Sequence, residues 1–149
     1  MPEAEKLKQI LCEKFPFLAE KFVVQREKRL YAEVPPDRFL EVAGFAKGEL
    51  KFIHVSTITG TYDKENLTAM YHMAHDDGTL LSLRQHVPRE SPVIQSITGL
   101  FPGCANYERE LVDLLGCKVE NLPPGNRYPM PDDFPRDQHP LRKDWKPVS

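Results

Sequence analysis

Strand-like and helix-like periodicities follow one another along this chain in the order helix, strands, helix, strands, helix. That order predicts an α+β fold, a single domain in which one mostly antiparallel sheet packs with helices. Two further observations support it. Asp76-Asp77-Gly78 is a tight-turn sequence between two strand-like runs. Prolines gather beyond Leu122, at 123, 124, 129, 131, 135, 140 and 147, where they forbid regular helix or inner strand. The expected division is therefore an α+β domain over 1–122 and an extended, proline-rich C-terminal segment over 123–149.

The first helix is expected over residues 3–15, with Leu7, Ile10, Leu11 and Phe15 at helical spacing and Pro16 as its stop. Phe22 to Arg26 and Leu30 to Val34 flank the charged turn Glu27-Lys28-Arg29 and read as a hairpin. Pro35-Pro36-Asp37 opens a second helix with Phe39, Val42, Ala43 and Ala46 on one face and Gly48 as its stop. Lys51 to Tyr62 reads as a strand, as do Thr68 to His75 and Thr79 to Val87. Met73, Leu81 and Leu83 are expected to face the core, with Arg84 and His86 on the other side. In the last helix Asn106 is the expected cap, Glu108 and Glu110 lie in the first turn, and Gly116 follows the end. Its apolar stripe is expected at Tyr107, Leu111, Leu114 and Leu115, with Arg109 and Asp113 opposite and Glu110 at the edge.

At 149 residues the chain can bury one real core. A formal net charge of −2 provides no polycationic footprint, so nucleic acid is not an expected partner. No apolar run approaches the roughly 18 residues of a membrane span, and the charged N-terminus lacks the apolar stretch of a signal peptide. Cys12, Cys104 and Cys117 are odd in number, widely spaced and without a C-x-x-C, which supports neither a disulfide framework nor a zinc ribbon. An iron–sulfur cluster takes about four thiolates, more than this chain holds. Free thiols point to a reducing, cytosolic location.

Nucleophile-elbow, P-loop, dinucleotide and zincin motifs are all missing. His72 and His75, three apart in a strand, point to opposite faces and read as ordinary strand histidines. Asp76 and Asp77 are explained by turn chemistry. Glu108 and Glu110 diverge by about 160° around a helix, which keeps them from converging on one substrate.

Tyr107-Glu108-Arg109-Glu110-Leu111-Val112-Asp113-Leu114-Leu115-Gly116, approached through Pro102 and Ala105, resembles the signature of the C subunit of complex I, the respiratory-chain NADH:quinone oxidoreductase. Ile58-Thr59-Gly60 with Tyr62, Tyr71-His72 and Ser96-Ile97-Thr98 look like further landmarks of that family, in order. His139-Pro140-Leu141-Arg142-Lys143-Asp144-Trp145 is similar to its closing motif. The resemblance covers roughly 50–145. Leu115 stands where the family usually has Phe. The stretch from Leu122 to Pro135 departs from the usual G-H-P and L-R-R and looks like the branch found with membrane-bound nickel–iron hydrogenases. That branch brings the proton, beside quinone, into view as final acceptor.

The resemblance implies a non-catalytic peripheral-arm subunit that docks beside the large catalytic subunit and holds no cofactor. Iron–sulfur clusters and the nickel–iron or quinone site are then expected in partner subunits. The implied partners are the large catalytic subunit and the iron–sulfur subunits, with membrane contact only through them, at the cytoplasmic face of the cell membrane. The expected partner interface comprises Glu108, Arg109, Glu110 and Asp113 on the helix. In the tail it comprises Arg127, His139, Pro140, Leu141, Arg142, Lys143 and Trp145, arginine and aromatic anchors of the kind that dominate interfaces. Two other readings stand beside this one. The first is a free-standing cytosolic enzyme whose acid is Glu108 or Glu110, and the second is a small binding module without redox partners.

Overall fold

A computed structural model describes residues 3–62 and 65–122. Helix α1 (Glu3–Lys14) turns Ala4 and Leu11 into the core, with Phe15 just beyond its end. Ile10, expected in that stripe, is 41% exposed. The inward line runs through 4, 7, 11 and 15, which leaves position 10 on the outer flank. Pro16 has no amide proton to continue the helix, and a 3₁₀ turn (Pro16–Lys21) leads into the hairpin of β1 (Phe22–Arg26) and β2 (Arg29–Glu33).

Helix α2 (Phe39–Gly48) follows a 3₁₀ turn at Pro36–Arg38, and all four expected core residues, Phe39, Val42, Ala43 and Ala46, are fully buried. Its stop differs from the expected glycine. Gly48 remains helical, and the chain reverses at Lys51, whose φ is 64°. The Lys51 ammonium donates to the Gly48 carbonyl at 3.0 Å, and the Phe52 amide donates to the Ala46 carbonyl at 3.0 Å. These two bonds and the burial of the Phe52 ring hold a left-handed residue that would favour glycine.

Strands β3 (His54–Tyr62), β4 (Asn66–Ala74) and β5 (Leu80–Pro88) complete a five-stranded sheet in the order β1-β2-β5-β4-β3. Three of its pairings are antiparallel and β2–β5 is parallel. The β4–β5 turn is built as its residues require. Gly78 takes φ 92°, and the Asp77 carboxylate accepts from the Thr79 amide at 2.9 Å, a bond that holds the Asp77 carboxyl below its ordinary range. Leu67, Ala69, Tyr71 and Met73 of β4 and Leu81, Leu83, Gln85 and Val87 of β5 alternate into the core. Arg84 and His86 lie on the other face with Thr59, Thr68 and His72, which are linked by hydroxyl–imidazole hydrogen bonds.

Two short parallel strands, β6 (Val93–Gln95) and β7 (Lys118–Glu120), form a second small sheet that the apolar pattern did not signal. Helix α3 (Ala105–Leu115) connects them and packs on β3. Parallel strands need such a crossover, and α3 supplies it. Gly116 ends α3 with φ 77°, as its position predicts. The other end differs: the helix begins at Ala105 after a 3₁₀ turn (Pro102–Cys104), so Asn106 lies inside its first turn and does not cap it. Among the described residues no helix is long and apolar enough to cross a membrane.

Candidate functional site

The rotation of α3 defines the site. Tyr107, expected in the apolar stripe, is 38% exposed, and its neighbour Glu108 is fully buried beside Leu111 and Leu115. A carboxylate takes the inner position because three donors wait for it. The Tyr71 hydroxyl donates to one oxygen at 2.6 Å, the Ile97 amide donates to the same oxygen at 3.1 Å, and the Ser96 hydroxyl donates to the other at 2.6 Å. Ser96 Oγ in turn accepts from the Thr98 amide at 3.0 Å and lies 2.6 Å from the Thr98 hydroxyl. One residue away, Gln85 and Gln95 join β5 to β6 by a reciprocal pair, side-chain amide to backbone carbonyl at 2.9 Å and backbone amide to side-chain oxygen at 2.8 Å. No buried side-chain nitrogen or oxygen of the described residues is left without a partner.

This network ties three sequence landmarks, Tyr71, Ser96-Ile97-Thr98 and Glu108, into one cluster that fastens α3 to β4 and to the chain after β6. Burial pushes the Glu108 carboxyl up, and the three hydrogen bonds from Ser96, Tyr71 and Ile97 work against that rise. Burial, then the charge of Glu108, raises the Tyr71 hydroxyl well above its ordinary value. The same two causes push the Cys104 thiol up to about 11. At neutral pH Cys104 is therefore a thiol, poor as a nucleophile and as a metal ligand. Among the described residues no group of three or more histidines, cysteines or acids is placed to hold a metal ion.

A second landmark has an equally local explanation. A Cβ placed on Gly60 would lie 2.5 Å from Leu111 Cδ2 and 2.5 Å from Leu115 Cδ1. Glycine at 60 lets α3 sit directly on β3. Beside this contact a cleft of about 220 Å³ opens, lined by Ile58, Thr59, Gly60, Glu110, Leu111, Leu114 and Leu115.

The expected site residues thus separate. Glu108 faces inward and is spent on its own chain, while Glu110 is half-buried in the cleft, so the two acids do not meet around a substrate. Arg109 is half-buried and donates to Asn106 Oδ1 at 3.2 Å. Asp113, expected on the solvated face, is only 7% exposed. Arg127, His139, Pro140, Leu141, Arg142, Lys143 and Trp145 lie outside the described residues. Sequence reasoning missed the convergence of Tyr71, Ser96 and Ile97 on Glu108. The one available signal was their shared status as landmarks, which says nothing about mutual contact.

Comparison with known proteins bears on this arrangement. The chain is 32% identical over 147 residues to the C subunit of the F(420)H(2) dehydrogenase of Methanosarcina mazei, a match covering 97% of this chain and 92% of that one. Over 71 residues it is 37% identical to the beta subunit of the membrane-bound hydrogenase of Pyrococcus furiosus, covering 48% of this chain and 41% of that one. Its fold superposes with a TM-score of 0.84 on a chain of the membrane-bound sulfane sulfur reductase, an archaeal respiratory membrane complex. That superposition covers 97% of this chain and 86% of the other at 24% identity, and it speaks to the fold. The family described as respiratory-chain NADH dehydrogenase, 30 Kd subunit, matches residues 32–149, and the chain belongs to that family.

Proposed function

We propose that this chain is a non-catalytic peripheral-arm subunit of a membrane-bound redox complex, of the complex I or the related hydrogenase type, docked beside the large catalytic subunit. The observation that carries this reading is the similarity, over 97% of the chain, to the C subunit of a dehydrogenase. The fold supports it from the physical side. The only fully buried acid among the described residues is engaged by three internal donors, which makes it a structural anchor rather than a general acid. In this reading the iron–sulfur clusters and the nickel–iron or quinone site belong to partner subunits. The chain meets the membrane only through them, at the cytoplasmic face.

Glu108 then supports the docking helix from within. Arg109, Glu110 and Asp113, together with Arg127, His139, Pro140, Leu141, Arg142, Lys143 and Trp145, are the proposed interface. Association with partners is tested by truncating the full-length chain after Leu122 and by Arg142→Ala, each followed by native gel electrophoresis of membrane extracts. We expect the truncation to abolish co-migration with the large subunit. Arg142→Ala should weaken association by about 2 kcal/mol if the side chain is an interface hot spot. Unchanged co-migration of both variants would remove the tail from the interface.

A further inference from the structure

We infer that the cleft between β3 and α3 receives an extended segment of a partner subunit, which adds a strand to the outer edge of β3 and places a lysine or arginine against Glu110. β3 ends the sheet order, and among the described residues it pairs with β4 alone. Edge strands that must stay solitary carry lysine, proline or inward charge, and between His54 and Tyr62 there is none of these. One bulge near Ser56 interrupts the pairing, after which Thr57 to Tyr62 stay in regular register with β4.

The cleft lies along this edge. Its lining includes Thr59, from one face of β3, and Ile58 and Gly60 on either side of it in sequence, with the helix residues Glu110 and Leu114 beyond. Of the strands of the sheet only β3 contributes to that lining, which puts the cleft beside the outermost strand. An incoming strand would find main-chain donors and acceptors along β3 and an apolar wall at Leu111, Leu114 and Leu115. It would also meet one half-buried carboxylate, Glu110, for which no ion pair exists among the described residues. That carboxylate selects a cationic side chain in the occupant. The inference rests on the proposed docking role and names the chemistry of the segment that docks.

The test compares hydrogen exchange of the full chain, free and within its isolated complex. In an antiparallel edge strand alternate amides point away from the neighbour, and these should exchange quickly in the free chain. Between Thr57 and Thr61 we expect them to slow at least about tenfold in the complex. A photo-crosslinking amino acid in place of Leu114 should capture a partner peptide that contains lysine or arginine. Glu110→Lys should lower recovery of the complex at least about tenfold, and Glu110→Gln less, with the urea midpoint of the free chain unchanged. An intact complex in which those amides exchange as fast as in the free chain overturns the inference while the docking role stands. Capture of residues 123–149 of this same chain, or of a partner helix, also overturns it. Failure to recover any complex with the unaltered chain overturns both readings.

Discussion

Replacing Glu108 by alanine removes the acceptor of three hydrogen bonds at once. Of the three donors, the Ser96 hydroxyl can turn to Thr98 Oγ1, 2.6 Å away, but the Tyr71 hydroxyl keeps only a long, weak contact to the Gln95 carbonyl at 3.5 Å and the Ile97 amide loses its acceptor. Each buried donor without a partner costs about 1–3 kcal/mol, so the substitution should cost about 2–6 kcal/mol. That is a large fraction of the roughly 5–15 kcal/mol that holds a small domain together. Glu108→Gln is the discriminating control. Its oxygen can still accept from Tyr71 and Ile97, and its amide can donate to Ser96 Oγ once that hydroxyl reorients, which limits the loss to about 1 kcal/mol. Urea unfolding of the full chain, followed by far-ultraviolet circular dichroism, measures both. If alanine costs no more than glutamine, the carboxylate does not fasten α3 and the reasoning fails.

The Glu108 carboxyl is raised in the folded chain, so it contributes stability that is present in full below the ordinary carboxyl value and is lost as pH rises through the raised one. The unfolding free energy of the wild type relative to Glu108→Gln should therefore decline across that window, and a flat difference would contradict the shift. Gly60→Ala should cost about 1–3 kcal/mol by thermal or urea unfolding, because Leu111 and Leu115 must retreat from the new methyl group. Leu111→Ala should destabilise the chain by about 2–5 kcal/mol, since its side chain is buried against β3. Arg109→Ala should cost fold stability less and assembly more, and equal losses of stability for the two would make Arg109 structural. Gly78→Ala should destabilise the β4–β5 turn by about 1 kcal/mol or more, through its φ of 92°.

Where local chemistry decided the outcome, the fold was legible. Alternation along β4 and β5, the turn at Gly78, the α2 stripe and the Gly116 stop follow from spacing and backbone preference, and all four are where they were expected. What escaped was decided by groups distant in sequence. Periodicity assigns Tyr107 inward because it is aromatic, but Tyr71, Ser96 and Ile97 together turn α3 so that Glu108 is inward instead. The left-handed turn at Lys51 instead of Gly48 depends on Phe52 finding a place in the core, which no local rule contains. Strands β6 and β7, three residues each, are too short for an alternating pattern and exist through their pairing to one another. Of the candidate site, the residues of the motif were legible and their division of labour was not. Glu108 and Glu110 look equivalent in E-R-E, and only packing separates an internal anchor from a carboxylate at the mouth of a cleft.

Affinity purification of the tagged full-length chain from solubilised membranes of its own cells tests the subunit role itself. The chain should come down in defined stoichiometry with a large subunit and iron–sulfur subunits, redox turnover should be found in that assembly, and the chain stripped from it should have none. Recovery of the chain as a monomer that turns over a redox substrate unaided would contradict that role.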